Sequence, residues 1–570
     1  MNKEQFVKQR VSEMSIEEKV GQCFVIGYVG ATVTPEIIRR IKTYKPAGIR
    51  AGLMWRIRTV KHDPNGTNTD FASRLQRPYK GTIKDFLPDI PVPHFTNEEF
   101  CEYVNTLKQA AIENGNVPLH FTFDFEGDVS ADYYRGGVKY FPSCMGIAHS
   151  NDKNLAKDVA WAVGRQLAPL GFSWIHSPVL DVNTNPKNPE IGARSYAENP
   201  DEVADYAVEA LKGFKEAGII ATGKHFPGRG ESAADAHHGL PVIDASKETL
   251  YEEHIKPYKK MIDAGLPAVM TAHTAYPALD DSGLPATLSK KIITGILKEE
   301  LGFKGVVTTD EITMGGIISK FEVKDACLEA INAGCDLVLL RDEGGLIDEV
   351  IPALVQAVKE GRLSEERLND AVTRTLSVKY DYGFFENEQI REVAKASEGI
   401  NDPKVQEIAL RAAKQAMNVV RDENNVLPLK EGTKALFVYQ VNPVHERTNT
   451  QSCNPATPWL EMLKYSDDVY CVESKMKYPE EDRKRVYERI DEADVIIVTN
   501  YFDRRNPDSG NSFVKELHEK TNKPIIVVTN SPYQFTIQDE YKTVICTYSS
   551  SVESFKELAN VIFKGDGNVR

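Results

Sequence analysis

A (β/α)8 barrel of the TIM type, followed by a smaller α/β sandwich domain, is the fold class that the sequence predicts, on three observations. The chain has 570 residues, more than one ordinary hydrophobic core accommodates, so two domains are expected. Short apolar runs alternate with amphipathic helical segments through about residue 390. Near residue 400 a long helix begins a second, shorter series of strands. We therefore place the barrel in residues 1–390, a linker with the first helix in 391–430 and the sandwich domain in 431–570.

Eight apolar runs in the first region are candidate barrel strands. They are rich in Val, Ile, Leu and Phe, as expected of parallel strands that are buried on both faces. Helical segments lie between them, and several follow a capping signal such as Ser150-Asn151-Asp152 or Asn199-Pro200. In chain order the candidate strands are 22–27, 47–54, 119–125, 172–182, 218–226, 268–273, 305–310 and 336–341.

The second region has its own series of strands. A helix predicted over 405–420 leads into the run Asn424 to Leu429. Five strand candidates with helices between them follow at 434–439, 469–472, 495–499, 524–529 and 543–547. This alternation predicts an α/β layer structure that is smaller than the barrel.

The composition excludes several classes of partner. A net charge of −14 argues against nucleic acid, because binding phosphates requires a basic surface. No run approaches the ~20 apolar residues of a membrane helix, and the polar start has no apolar signal region. The eight cysteines are scattered without a Cys-x-x-Cys pair or zinc-site spacing, which is typical of reduced thiols. We expect a cytoplasmic protein that needs neither a metal nor a cofactor.

Polar residues collect where the predicted barrel strands end. In a (β/α)8 barrel, functional side chains lie at the C-terminal ends of the strands and in the loops that follow. Several strand ends carrying polar groups favour an active site over chance. The residues at these positions are Asp124, Glu126, Asp181, Lys224, His225, His273 and Asp310.

The end of the fifth candidate strand and the loop after it contain the densest group of potentially catalytic residues. It reads Lys224-His-Phe-Pro-Gly-Arg-Gly230, and its proline and two glycines predict a loop. Asp235 and His237 follow two positions apart, so the carboxylate could orient the imidazole and raise its basicity. This arrangement suits a general acid/base on a mobile loop; the alternative is a surface loop with an incidental Asp-x-His pair.

The whole string K-H-F-P-G-x-G-x4-D-x-H resembles the signature of the bacterial β-N-acetylglucosaminidase branch of glycoside hydrolase family 3, the NagZ-like enzymes. The resemblance covers most of residues 10–390 in order and is weaker beyond 400. Further blocks that are similar to the family's are DFEG at 124–127, FPSCM at 141–145, PVLDVN at 178–183, IGARS at 191–195, VMTAH at 269–273 with YP at 276–277, and GVVTTDEITM at 305–314.

The resemblance implies a role for each matching position. Asp310 would be the nucleophile of a two-step displacement, His237 the acid/base and Asp235 its partner, without metal or cofactor. Glu311, next to the nucleophile, is interpreted as structural at the start of the following helix. The substrate would be a carbohydrate with terminal β-linked N-acetylglucosamine. The positions implied to bind it are Asp124, Arg135, Arg194, Lys224, His225 and Met314.

The chain departs from the family pattern beside the predicted pocket. Asp128 stands where the family block usually has its second glycine, and Arg135 is the nearest candidate for a displaced arginine. The segment 56–96, rich in Pro, Asn, Asp, Arg and Lys, has no convincing periodicity. We interpret it as a loop that shapes the pocket; the alternative is a mobile surface loop without a function in the site. These changes leave the leaving group open: a muropeptide, a chitooligosaccharide or a glycoprotein fragment.

Three other functions remain possible on the sequence. A glycoside phosphorylase would use phosphate instead of water, and a β-glucosidase would share the family. A catalytically silent sugar-binding protein could share the fold alone. We expect hydrolysis, because the Asp310, Asp235 and His237 set is intact and the net charge of −14 gives no long-range attraction for phosphate.

Overall fold

The computed structural model describes residues 2–28, 33–51, 96–128, 130–133, 136–236, 239–341, 345–386, 389–441, 457–502 and 510–565. Two predicted site residues, His237 and Arg135, and nearly all of segment 56–96 lie outside these ranges.

Eight parallel strands close into a barrel, which confirms the predicted fold class. Each strand pairs with its neighbours in the chain, and β1 closes the ring by pairing with β10 (Phe24 opposite Val338). β4 and β5 form a separate antiparallel hairpin directly after β3. The strands are β1 (Phe24–Tyr28), β2 (Gly48–Ala51), β3 (His120–Phe123), β4 (Phe125–Gly127), β5 (Ser130–Ala131), β6 (Trp174–Ile175), β7 (Ile220–Phe226), β8 (Ala268–Thr271), β9 (Val306–Glu311) and β10 (Leu337–Leu340).

Helices surround the barrel and begin at recognisable caps. Asp152 accepts from the Asn154 N–H, and Asn199 accepts from the first two free N–H groups after Pro200, as the capping signals predicted. The helices of this region are Lys3–Glu13, Ile16–Gly21, Pro35–Tyr44, Asn97–Glu113, Cys144–His149, Lys153–Leu167, Pro200–Glu216, Lys247–Thr249, Lys256–Asp263, Gly315–Ile318, Val323–Ala333, Ile347–Lys359 and Glu365–Asp381, with π-helical stretches at Leu250–Ile255 and Lys291–Glu300.

The barrel strands are buried on both faces, which explains their apolar composition. Val269 and Val307 pack in the large core that includes the surrounding helices, whereas their neighbours Ala268 and Val306 belong to a smaller cluster with Trp174. Successive residues of one strand thus serve two cores. β6 is shorter than the predicted range of 172–182, because the regular ladder stops at Ile175. Contact with β7 then resumes as an isolated bridge between Val179 and Lys224.

The second region folds around a six-stranded sheet in the order β11-β16-β15-β14-β12-β13. Alternate residues of β12 face different cores, Phe437 on one side and Val438 on the other. The strands are β11 (Asn418–Asp422), β12 (Ala435–Val441), β13 (Val469–Lys475), β14 (Val495–Thr499), β15 (Ile525–Thr529) and β16 (Thr543–Cys546); the helices are Pro403–Ala416, Thr457–Leu463, Glu480–Tyr487, Asn511–Lys520 and Val552–Lys564.

β11 corrects the sequence prediction of one helix over 405–420. The helix ends at Ala416, and Asn418–Asp422 pairs antiparallel with β16, although every other pair in this sheet is parallel. Val419 and Val420 are β-branched and fit a strand better than a helix.

Among the described residues, no helix combines the length and apolar character that crossing a membrane requires.

Candidate active site

The C-terminal ends of the barrel strands bring four of the predicted site residues together. Asp124 directly follows β3, Lys224 and His225 lie in the second half of β7, and Asp310 is the penultimate residue of β9. Lys224 Nζ lies 3.0 Å from Asp124 Oδ1, and His225 Nε2 lies 3.8 Å from Asp310 Oδ2. Asp124 and Asp310, which are 186 positions apart in the sequence, therefore line the same mouth of the barrel.

Asp310 presents a carboxylate with two different environments at its oxygens. Oδ1 accepts the backbone N–H of Glu311 (2.8 Å). Oδ2 lies 3.7 Å from the Arg229 guanidinium and 3.8 Å from His225 Nε2, too far for direct hydrogen bonds. The side chain is 16% exposed, so Oδ2 is partly open to the mouth of the barrel.

The surroundings of Asp310 keep it ionised. Burial alone would raise the pKa of this carboxyl, but His225, Arg229, His273 and the Glu311 N–H together hold the pKa well below its usual value. The permanently charged Arg229 carries this effect at neutral pH, because burial also lowers the pKa of His225 and keeps its ring neutral.

Two neighbours fix the orientation of His225. Arg229 donates to Nε2 (2.8 Å), so the ring proton is on Nδ1, which donates to Asp181 Oδ2 (2.6 Å). Asp181 also accepts the Arg229 N–H at its other oxygen (2.7 Å). Asp181 therefore holds both residues that face the Asp310 carboxylate. The sugar-binding role of His225 stays a prediction.

Replacing Arg229 tests its effect on Asp310. In the Arg229→Met variant we expect the pKa of Asp310 to rise by about one to three pH units, because a nearby cation stabilises the charged form. A higher pKa means a protonated, unreactive carboxyl over a wider acid range. The acid limb of the kcat/KM profile should therefore move to higher pH. Arg229→Lys, which keeps the charge, is the control; an unchanged acid limb in Arg229→Met would contradict this assignment.

A second group of charges lies beside Asp310, and we call Asp124, Glu126, Arg194 and Lys224 the charged cluster. Arg194 binds both carboxylate oxygens of Glu126 (2.7 and 3.0 Å). Lys224 lies between Glu126 (2.5 Å) and Asp124 (3.0 Å) and is only 3% exposed. Asp124 and Arg194 are 28% and 19% exposed, so these two reach the open mouth. The buried Lys224 holds Asp124, and Glu126 holds Arg194.

Arg50 is a site residue that sequence analysis missed. It lies in β2 and pairs with Asp124, with Asp132 (2.7 Å) and with His176 Nδ1 (2.8 Å). Although burial opposes ionisation, Arg50 and Lys224 hold the pKa of Asp124 well below its usual range. The available signal was an arginine inside an otherwise apolar strand, which requires a buried carboxylate partner.

Glu190 is a second residue of this kind. Its carboxylate lies 3.0 Å from Arg229, and both side chains are almost fully buried. Glu190 also accepts the N–H of Ala236 (3.4 Å), which directly precedes His237. It thus joins the residue that faces Asp310 to the predicted acid/base loop.

The loop of Asp235 abuts the turn after β9. The carbonyl of Ala236 accepts the Gly316 N–H (2.8 Å), and a Cβ at Gly316 would lie 3.0 Å from the His273 carbonyl oxygen. Asp235 is half-buried in this loop. Met314, two residues before Gly316, is buried and precedes the helix Gly315–Ile318. The roles of Asp235, Met314, His237 and Arg135 stay predictions.

Glu311 lies at the end of β9 rather than in the following helix, and its contacts are directed away from Asp310. The carboxylate accepts the Arg341 N–H (3.0 Å) and the Thr313 hydroxyl (2.9 Å). Its carbonyl accepts from His273 Nε2 (3.0 Å). Burial raises the pKa of Glu311. These contacts fit the structural interpretation of Glu311.

One group in the described part of the chain has side chains close enough to share a metal ion. Its members are Glu231, Glu253 and His254, with ligand atoms within 4.8 Å of one another. His254 Nε2 and Glu231 Oε2 already form a hydrogen bond (3.3 Å), which accounts for part of this proximity. The group is separate from Asp310 and has no role in the chemistry considered below.

Comparisons with known proteins identify similar chains. The family model described as "Glycosyl hydrolase family 3 N terminal domain" matches residues 86–378. The β-hexosaminidase A of Pseudoalteromonas piscicida is 30% identical over 423 residues, which are 70% of this chain and 68% of that protein. A β-N-acetylglucosaminidase/β-glucosidase of Cellulomonas fimi is 28% identical over 349 residues, 59% of this chain and 60% of that protein. The structure of a glycoside hydrolase family 3 β-N-acetylglucosaminidase from Paenibacillus sp. str. FPU-7 superposes with a TM-score of 0.84 at 28% identity and 98% coverage of both chains.

Proposed function

Because the chain belongs to glycosyl hydrolase family 3, we propose that it removes terminal β-linked N-acetylglucosamine with retention of the anomeric configuration. The observation that carries this proposal is the position of Asp310. An ionised, partly exposed carboxylate at the end of a barrel strand, held by Arg229 and the Glu311 N–H, suits a nucleophile. We infer the identity of the sugar from the relatives, which are named for β-hexosaminidase or β-N-acetylglucosaminidase activity.

The first step would form a glycosyl ester. Asp310 attacks the anomeric carbon through Oδ2, because Oδ1 is engaged by the Glu311 N–H. The bond from that carbon to the leaving oxygen breaks with its electron pair, and His237 donates a proton to this oxygen. Asp235, two residues earlier, would keep the imidazole oriented and protonated.

The second step would hydrolyse the ester. The neutral His237 imidazole removes a proton from water while the water oxygen attacks the anomeric carbon. The bond to Asp310 breaks and returns its carboxylate. Each step inverts the anomeric carbon, so the product keeps the β configuration. A histidine in this role also places no second negative charge beside Asp310.

The charged cluster is positioned to bind the hydroxyl groups of the sugar. Asp124 offers acceptor oxygens and Arg194 offers donors, and both are exposed to the mouth. Lys224 and Arg50 are buried and act by holding Asp124. Fixed, ionised partners can bind hydroxyl groups without reorganising during the reaction.

Water is the acceptor that these charges favour over phosphate. A phosphorylase needs cations that are free to bind the incoming dianion. Arg229 already faces Glu190 and Asp310, and Arg194 is bound by both carboxylate oxygens of Glu126. Their charge is therefore compensated within the site, and the net charge of −14 adds no attraction.

Two aryl glycosides, assayed with and without phosphate, test this function. We expect a chromogenic N-acetyl-β-glucosaminide to react with a kcat/KM at least about tenfold above that of the matching β-glucoside, since a lost specific hydrogen bond costs on the order of 1.4 kcal/mol or more. Proton NMR should detect free β-N-acetylglucosamine as the first product, with Asp310→Asn as the blank.

Each alternative has its own outcome in this assay. Dominant release of N-acetylglucosamine 1-phosphate at millimolar phosphate would indicate a phosphorylase, with Asp310 and His237 in the same roles. Preference for the β-glucoside would indicate a β-glucosidase. Binding of N-acetylglucosamine without turnover of either glycoside would indicate a sugar-binding protein.

A further inference from the structure

Asp128 joins the barrel to the second domain at one well-defined contact. Its Oδ2 accepts the side-chain N–H of Asn530 (2.9 Å), and its Oδ1 accepts both the N–H and the hydroxyl of Ser550 (2.9 and 3.1 Å). Asn530 directly follows β15, and Ser550 lies four residues after β16. The carboxylate is thus held by two loops at the C-terminal edge of the second sheet. Hydrogen bonds to an ionised group are among the stronger ones in proteins.

The backbone at Asp128 is fixed as well. Its N–H donates to the Phe141 carbonyl (2.8 Å), and its φ of 45° lies in the left-handed region. The preceding Gly127 has no room for a side chain, since a Cβ would lie 2.3 Å from the Pro142 carbonyl oxygen. The turn of the β4–β5 hairpin is therefore packed against residues 141–142 on one side and the second domain on the other.

This hairpin carries residues of the active-site mouth. Glu126, two residues before Asp128, binds both Arg194 and Lys224. On the other strand, Asp132 accepts the Asp124 N–H (2.7 Å) and donates its own N–H to the Asp124 carbonyl (2.9 Å). A displacement of the hairpin would move two of the four members of the charged cluster.

The second domain also contacts the segment that follows the hairpin. The Tyr548 carbonyl accepts the Ser143 N–H (2.9 Å), and the Tyr548 ring stacks on His149 (5.5 Å between centroids). At Gly146 a Cβ would lie 2.5 Å from the Tyr548 Cβ, so the two backbones approach closely. The loop after β16 therefore contacts both the turn of the hairpin and the segment that follows it.

We propose that Asp128 is a positioning residue through which the second domain holds Glu126, and with it Arg194 and Lys224, in place to bind the sugar. This inference rests on the proposed function for the identity of the sugar. It assigns the second domain a part in substrate affinity rather than in the reaction itself, because the hairpin that Asp128 fixes carries Glu126, whose partners Arg194 and Lys224 belong to the charged cluster.

Asp128→Gly and Asn530→Ala test the contact from its two sides. Glycine accommodates a φ of 45° at no steric cost, so Asp128→Gly removes the carboxylate without adding backbone strain. We expect each variant to raise KM by roughly 3- to 30-fold, as coupled contacts do, with kcat changed less than about twofold. The double variant should be no worse than the stronger single variant, because both remove the same contact. Hydrogen exchange of residues 124–132 should become faster in all three.

Lys139→Met is the matched control. It breaks a different contact between the two regions, the ion pair of Lys139 with Glu553 (3.4 Å), which does not involve the hairpin. We expect it to lower Tm while KM and the exchange of residues 124–132 stay unchanged. The inference would be overturned if Asp128→Gly and Asn530→Ala behaved like this control. If Asp128→Gly fails to fold, the KM and the hydrogen exchange of Asn530→Ala alone decide the inference.

The same experiment separates failure of this inference from failure of the proposed function. KM is measured with whichever of the two aryl glycosides the wild-type enzyme cleaves, so a preference for glucoside leaves the test intact. If the wild type cleaves neither glycoside, the proposed function fails. The hydrogen-exchange comparison with Lys139→Met then decides the inference, because it needs no substrate.

Discussion

The Asp310→Asn variant should lose on the order of 10⁴-fold or more in kcat on every substrate, which corresponds to about 5.5 kcal/mol of transition-state stabilisation. The amide keeps the volume of the side chain but cannot form the glycosyl ester. Both steps of the proposed reaction pass through this carboxylate, so better leaving groups should not restore the rate. Steady-state kinetics on the aryl N-acetyl-β-glucosaminide and on a disaccharide measure the loss.

The neighbouring carboxyl provides the control for Asp310. Glu311→Gln changes the next residue of β9 in the same way, but its carboxylate contacts Arg341 and Thr313 instead of the mouth. Glutamine keeps the size of this side chain and one oxygen that can accept these hydrogen bonds. We expect Glu311→Gln to keep kcat within about tenfold, and an equal loss in both variants would mean that Asp310 acts through the fold.

The second large effect should come from His237. Replacing it with Ala should lower the rate on a disaccharide by about 10²- to 10⁴-fold, the usual contribution of general acid catalysis. An aryl glycoside with an acidic phenol should form the ester almost as fast as before, because its leaving oxygen needs no proton. Asp235→Ala should show the same pattern more weakly, since it orients the imidazole without reacting.

Pre-steady-state kinetics measure formation of the glycosyl ester and its hydrolysis separately. If glycosylation of the aryl substrate stays fast while hydrolysis of the ester slows, His237→Ala should show a burst of phenol. His238→Ala, one residue further along the same loop, is the matched control and should leave both steps unchanged. Wild-type rates of both His237→Ala and Asp235→Ala on the disaccharide would contradict the assignment of the pair.

The barrel could be predicted because its strands are buried on both faces. Continuous apolar runs mark such strands, and each of the eight predicted ranges overlaps a strand of the barrel. Strand length was harder to predict, since the regular ladder of β6 stops at Ile175, inside an apolar run. β11 was not predicted, because Asn418 follows the end of the helix after a single residue and the local pattern shows no break there. Its partner strand β16 lies more than 120 residues away in the chain.

Sequence predicted part of the site and could not predict the rest. Asp124, Lys224, His225 and Asp310 end barrel strands, and parallel strands end at one face. Arg50 looked like a residue of the core, because its partners Asp124 and Asp132 are distant in the chain. Glu190 lies in an irregular loop, where no periodicity marks its side chain as buried. Their spacing in the loop suggested Asp235 and His237, and the resemblance implied their roles; burial patterns alone would not have selected them.

The covalent intermediate is the central claim, and trapping it is the most direct test. In a 5-fluoro derivative of N-acetylglucosaminyl fluoride, the ring fluorine slows both steps because it destabilises positive charge in both transition states. The fluoride leaving group keeps formation of the ester fast, so the ester accumulates. Intact-mass spectrometry should detect one sugar per chain in the wild type and none in Asp310→Asn, and peptide mapping should place the label on Asp310. A label on Asp124, Glu126 or another carboxylate, with Asp310 unmodified, would contradict the account.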